Sequence, residues 1–373
     1  MTTKKAKINN GRLQKIFRDM VDIYSPSGKE GAIVGFLDGF LKGADVPAVR
    51  QPVEDGRDNL LILSPRENAQ VVFVGHLDTV AAPDYMNYRF ELDDDEVYGL
   101  GTADMKGGCA AMIEAFTAYC RAHDGDLPAS LALVVGEEET GDGAQTFVDE
   151  YHYPWAIVGE PTSLVPCFSH FGYLELELTT YGRRVHASLA QKEHNAIRSM
   201  LTMLLSLTEY LDGSRHEVIY NIRDMQSSQA GFAVPDRCDV YVDLHVPPQF
   251  GIGDLSFEIE EVIAGQLDDS AQLHDSLVFS TIHAGYDLPS RGYFPELLKD
   301  VLTARSMKWE PTSFRSDSDA TILWGAGIKP VILGPGQLAK AHTSDESVRM
   351  TEVSQSAQVY LDILYALDAN GSS

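Results

Sequence analysis

Four stretches of the chain place a histidine or a carboxylate directly after an apolar run of strand length. Val71-Val72-Phe73-Val74 leads into Gly75-His76-Leu77-Asp78, and Leu131-Ala132-Leu133-Val134-Val135 leads into Gly136-Glu137-Glu138-Glu139. Ala156-Ile157-Val158 leads into Gly159-Glu160-Pro161, and Pro330-Val331-Ile332-Leu333 leads into Gly334-Pro335-Gly336 and on to His342. At strand spacing, residues i and i+2 point the same way, so an Asp78 carboxylate can fix the tautomer and orientation of a metal-bound His76 imidazole. The adjacent carboxylates of Glu137, Glu138 and Glu139 repel one another, which raises at least one pKa unless a cation sits among them. An exposed acidic turn is the competing reading. Asp104 lies in a glycine-rich turn, Gly99-Leu100-Gly101-Thr102-Ala103-Asp104-Met105-Lys106-Gly107-Gly108, whose spacing fits neither a phosphate-binding nor a dinucleotide-binding loop. Its glycines allow close backbone approach. Taken singly, each of these residues also reads as a cap or a surface group. Taken together, His76, Asp104, Glu139, Glu160 and His342 offer two imidazoles and three carboxylates. That mixed donor set suits Zn²⁺, with Co²⁺ or Mn²⁺ as substitutes. Five ligands exceed one tetrahedral site with an open position and suit two ions sharing a carboxylate.

Continuous apolar runs are the mark of strands buried on both faces of an α/β sheet, and ligands in such sheets bind beyond the carboxyl ends of the strands. The fold expected is therefore α/β: a mixed, mostly parallel sheet flanked by helices, with four strand ends converging on one edge. Helices are expected over residues 12–24, 109–122 and 352–368. Ser27 and Glu30 have the spacing of a capping box for a further helix running through Leu41.

The middle of the chain has another texture. Tyr173-Leu174-Glu175-Leu176-Glu177-Leu178 and Cys238-Asp239-Val240-Tyr241-Val242-Asp243-Leu244 alternate with period two, as strands with one solvated face do. Strand 173–181, helix 194–212, strands 217–223 and 238–246, helix 254–266 and strand 276–283 give a β-α-β-β-α-β order, the ferredoxin-like unit. Residues 173–284 are thus expected to form an inserted α+β domain, with 1–172 and 285–373 forming the catalytic domain.

GHLDTV, GLGTADMKGG, GEEETGDGA, GEPTSL and AHTSDESV, in this order along the chain, resemble the motifs of the dizinc deacylase and peptidase family. That family contains acetylornithine deacetylase, succinyl-diaminopimelate desuccinylase, aminoacylase and carboxypeptidase G. The likeness spans nearly the whole sequence, and GEPTSL followed by an alternating strand is most similar to acetylornithine deacetylase. It implies a homodimeric enzyme with two Zn²⁺ that removes an N-acyl group, acetyl above all, from an amino acid such as N-acetylornithine. A dipeptidase, carboxypeptidase or desuccinylase is the alternative. Carried over position by position, His76 and Glu160 bind one metal, Glu139 and His342 the other, and Asp104 bridges both. Asp78 orients His76, and Glu138 is the general base for a metal-bridging water. In relatives a histidine of the inserted domain reaches the partner subunit's active site, and His186 matches it. Asn221, His245, Gly334 and Gly336 are the substrate contacts implied. Relatives often carry arginine at the position of His245, where it grips a substrate carboxylate. An imidazole cannot form that bidentate pair, so Arg291 or Arg183 is left to replace it.

Composition agrees with this reading. The 373 residues suggest two domains, and 44% hydrophobic content supplies a sizeable core. The net charge of -26, from 55 acidic and 29 basic residues, disfavours nucleic acid and anionic membranes as partners. It also draws cationic substrates such as ornithine derivatives. Cys109, Cys120, Cys167 and Cys238 are scattered, which speaks against a disulfide framework. The first residues lack an apolar leader core and no apolar run is long enough to span a bilayer, so a cytoplasmic location is expected.

Overall fold

In the computed structural model, residues 5–82, 89–191, 195–229, 231–265 and 275–371 are described. The expected helix start at 194 and helix end at 266 lie outside these ranges. The chain divides into two compact units, one of residues 1–168, 288–314 and 318–373, the other of residues 169–287 and 315–317.

The first unit is built on a mixed sheet. Its centre is four parallel strands side by side, Ser130–Val134, Val71–His76, Trp155–Val158 and Lys329–Ile332. Arg57–Ile62 pairs antiparallel with the first of them and Val49–Glu54 extends that edge. The two innermost strands are buried at every position or nearly so, as their unbroken apolar sequences require. Phe73 makes edge-to-face contacts with Phe116 of the helix Gly107–Ala122, at 5.2 Å, and with Tyr360 of the helix Met350–Gly371, at 5.6 Å. Because the four strands run in one direction, their carboxyl ends lie along one edge. His76 is the last residue of its strand, and Glu137, Glu160 and Gly334 follow theirs by two or three residues.

The capping box expected at Ser27 and Glu30 does not form. The helix begins at Gly31, and its cap residue Glu30 makes no side-chain capping bond. Both side chains have stronger partners: Ser27 Oγ donates to Asp78 Oδ2 at 2.6 Å, and Glu30 takes both Nε and Nη2 of buried Arg57, at 3.1 and 3.0 Å.

The second unit holds a four-stranded antiparallel sheet in the order Ile219–Ser227, Arg237–Val246, Gly172–Tyr181, Ser276–His283. Helices Ala196–Ser214 and Ile252–Ala264 complete the β-α-β-β-α-β connection. Leu174, Leu176, Leu178, Val240, Val242 and Leu244 point to the helix side and pack with Met200, Leu207 and Ile259. The alternate residues form the polar face that the period-two pattern implies. All four cysteines are free and buried. Among the described residues, no helix is long and apolar enough to cross a membrane.

Candidate metal centre

At the carboxyl edge of the first unit's sheet, carboxylates outnumber bases. His76 is fully buried, with Nδ1 3.1 Å from the Asp78 carbonyl oxygen and 3.6 Å from its Oδ1. Its Nε2 faces Asp104 Oδ1 at 3.2 Å, Glu160 Oε1 at 3.6 Å and Glu137 Oε2 at 3.8 Å. His342 presents Nε2 to Glu138 Oε2 at 2.9 Å and to Asp104 Oδ2 at 3.4 Å. The two oxygens of Asp104 thus face the two different imidazoles.

Among the described residues, three groups have potential ligand atoms that, within each group, lie within 4.8 Å of one another: His76, Asp104 and Glu160; Asp104, Glu138 and His342; and His76, Glu137 and Glu138. Glu139, expected as a ligand, is exposed and belongs to none of these groups. Local backbone geometry explains the change of register. Gly136 adopts φ +78°, and the carboxylate of buried Asp78 accepts the N–H groups of Glu137 at 3.2 Å and Glu138 at 3.1 Å. Thr140 and Gly141 both bond back to the Gly136 carbonyl, closing a tight turn that carries Glu139 to the surface. The inward-facing pair is Glu137 and Glu138.

The electrostatics are those of a site short of positive charge. Burial pushes the Glu137, Glu138 and Glu160 carboxyls above the usual range, and neighbouring acids push further: Glu138 and Glu160 act on Glu137, and Asp104 acts on Glu138 and Glu160. Burial pulls His76 down, but Glu137, Glu160 and Asp104 outweigh it and the net shift is upward. His342 is raised to about 9, chiefly by its bond to Glu138. Burial opposes ionisation of Asp78 and Asp104, yet both are lowered, mainly through His76. Two buried oxygens, Glu138 Oε1 and Glu160 Oε1, have no hydrogen-bond partner. A buried carboxylate oxygen without a donor is costly, and a cation relieves it. The donor set, its spacing and these orphaned oxygens fit divalent metal.

Glycine brings the ligand loops together. A Cβ at Gly334 would lie 2.1 Å from the Gly159 carbonyl and 2.5 Å from that of Glu160. Gly336 has φ +90° and approaches Ala103, and its N–H donates to Glu352 at 3.1 Å. Both are packing positions for the segments that carry Glu160 and Asp104. The peptide between Asp104 and Met105 is cis.

Three further residues were not singled out by sequence. Arg57 clamps Glu30 and Asp142. Lys106, almost fully buried, donates to the Ile23 carbonyl at 3.0 Å, and burial lowers it to about 8. Glu346 accepts three backbone N–H groups from the Asp104 loop. Lys106 and Glu346 did have a signal, their places inside GLGTADMKGG and AHTSDESV; Arg57 had none.

The remaining candidates, Arg291 apart, lie in the second unit. His186 is exposed, with Nδ1 2.8 Å from Ser188 Oγ. Asn221 donates to Asp243 at 3.3 Å. His245 is tilted against Tyr173 at 5.4 Å, and burial lowers its pKa. Arg183 is exposed in this unit, and Arg291 is exposed in the first. Among the described residues, the sheet's polar face carries Arg223 next to Asn221 and Asp243, paired with Glu175 at 2.7 Å and Asp243 at 3.2 Å.

The sequence pattern of the family described as peptidase family M20/M25/M40 matches residues 72–366. A probable carboxypeptidase of Aspergillus fumigatus is 26% identical, covering 98% of this chain and 89% of its own. The acetylornithine deacetylase of Edwardsiella ictaluri is 25% identical over 89% of this chain and 91% of its own. Among solved structures, a tripeptidase of Staphylococcus aureus superposes with a TM-score of 0.81 at 19% identity, covering 97% of this chain and 99% of that one.

Proposed function

The chain belongs to peptidase family M20/M25/M40, a family of metal-dependent hydrolases, and on that premise we propose that it is an amidohydrolase that frees the amino group of an N-acyl amino acid. The acyl group proposed is acetyl and the amino acid one such as ornithine, which would place the enzyme in arginine biosynthesis. The observation that carries this is the geometry of Asp104, whose oxygens face His76 beside Glu160 and His342 beside Glu138. On this reading His76, Asp104 and Glu160 hold one ion, and Asp104, Glu138 and His342 the other. Zn²⁺ is the ion proposed, with Co²⁺ or Mn²⁺ able to replace it.

Bound metal supplies Lewis acidity toward the scissile carbonyl and lowers the pKa of the attacking water. The chain's own residues do the rest. Asp78 holds His76 through Nδ1, so that Nε2 faces the centre. Glu137, assigned here the role first expected of Glu138, accepts the proton of the attacking water. It lies on the His76 side, 3.8 Å from Nε2, and later returns the proton to the leaving amine. His186 is assigned to the developing oxyanion. The resemblance to the family implies that this histidine comes from the partner subunit, so a homodimer is part of the proposal. Asn221 and His245 are assigned to the substrate, and a cytoplasmic location completes the reading.

The probable carboxypeptidase relative, which covers nearly all of this chain, favours a second reading: the same chemistry on a peptide bond with a free carboxylate beside it. Hydrolysis of N-acetylornithine, N-succinyl-diaminopimelate and a set of dipeptides by metal-stripped protein, before and after Zn²⁺ or Co²⁺, separates the two. Metal-restored release of acetate from N-acetylornithine is the expected result. Cleavage confined to the dipeptides gives the second reading, and metal uptake with no turnover contradicts both.

A further inference from the structure

The Asp104 loop wraps a buried carboxylate. Glu346 is 3% exposed, and its two oxygens accept N–H groups of Gly101 at 2.7 Å, Ala103 at 2.9 Å and Asp104 at 3.0 Å. Such a nest fixes the backbone from which the Asp104 side chain projects. Glu346 also lies four residues after His342 on one short segment. Its N–H donates to the Thr343 carbonyl at 3.3 Å and its carbonyl accepts from Gly99 at 3.3 Å. Immediately beyond it, Ser347–Arg349 pairs with Glu96–Tyr98, the strand that leads into the loop. A single residue therefore joins the segment carrying His342 to the loop carrying Asp104, through both its backbone and its side chain.

Resting on the metal-centre reading above, we infer that Glu346 is a positioning residue for the second metal ion, the one assigned to Asp104, Glu138 and His342. The asymmetry follows from what supports each ligand. His76 ends one of the strands in the middle of the sheet and is held by Asp78, and Glu160 follows two residues after its neighbouring strand, in a segment packed against Gly334. Asp104 and His342 lie on irregular backbone, the latter at φ +57°; Glu346 holds the Asp104 loop through its side chain and the His342 segment through its own N–H to Thr343. Losing that tie loosens two of the three ligands of the second ion but only the shared one of the first.

A glutamine at this position keeps size and shape but can offer an acceptor to only one side of the nest, leaving its amide N–H₂ against the donors of the other. Glu346→Gln and the parent, both metal-stripped, are titrated with Co²⁺ by visible absorbance and with Zn²⁺ by calorimetry. The parent takes up two equivalents. In Glu346→Gln the second step weakens about 10- to 100-fold, as loss of a group that orients a ligand commonly does, and the first step weakens by less. Equal weakening of both steps, or no change in either, overturns the inference. If Glu346→Gln does not fold, Glu346→Asp, which keeps the charge and retracts it, shows the same order of effects at a smaller ratio. Uniform weakening there likewise overturns it. Failure of the parent itself to bind two ions contradicts the metal-centre reading rather than this one.

Discussion

Two clusters of acidic side chains in this protein have opposite electrostatic solutions. On the polar face of the second unit's sheet, Glu175 and Asp243 stand directly opposite one another on paired strands, where like charges repel. Arg223 bridges them at 2.7 and 3.2 Å, with Tyr173 and Asn221 adding hydrogen bonds to Asp243. At the edge of the first unit's sheet, Asp78, Asp104, Glu137, Glu138 and Glu160 surround two imidazoles, and two buried oxygens are left without donors. The first cluster is complete with protein groups alone. The second is arranged for a cation that the protein does not itself supply.

The contrast is sharpened most by Glu137→Gln. If this side chain moves the proton and holds no metal, hydrolysis falls by about 10²- to 10⁴-fold while metal content stays at the parent level. Steady-state kinetics with elemental analysis on the same sample checks this. Turnover near the parent's would remove Glu137 from the mechanism.

A second test uses pH. A group whose folded pKa is raised stabilises the fold below its unfolded value, and that stability is lost as pH rises through the folded value. His342 rises from 6.5 to about 9 and Glu346 from 4.5 to about 7, and Glu137, Glu138 and Glu160 move in the same direction. The metal-stripped centre therefore costs more stability as pH climbs, whereas metal replaces the protons. The gain in Tm on adding Zn²⁺ should grow from about pH 4.5, through about pH 7 where Glu346 deprotonates, to about pH 9 where His342 does. His170, lowered to about 4 by burial, and His245, also lowered, shift the other way, but they belong to the second unit and cancel in the difference. A pH-independent gain would mean that the carboxylate cluster is not what metal occupies.

The smallest effect belongs to the completed cluster. Arg223 is 43% exposed, and exposed ion pairs contribute about 0.2–1 kcal/mol. Arg223→Met should lower stability to chemical denaturation by about 1 kcal/mol or less and leave the number of bound ions unchanged. Loss of an ion would break the distinction between the two clusters.

The strands that lead into His76, Glu160 and the 137–139 run were legible because strands buried on both faces leave unbroken apolar sequences. The alternating strands of the second unit were legible for the complementary reason. Which two glutamates turn inward was not legible. Three identical residues carry no register of their own, and the choice is made by the left-handed Gly136 and by Asp78 accepting two backbone N–H groups. Ser27 and Glu30 matched a helix cap in spacing but are taken by Asp78 and Arg57, distant in sequence. Glu346 escaped for the same reason: its partners lie some 240 residues away, and only the fold brings a carboxylate into that loop.

The most direct test of the account counts ions per chain in Glu138→Gln and Glu139→Gln beside the parent, by elemental analysis after equilibration with Zn²⁺. The parent and Glu139→Gln should each hold two ions, and Glu138→Gln a single tightly held ion. Loss of an ion from Glu139→Gln with Glu138→Gln intact would contradict it.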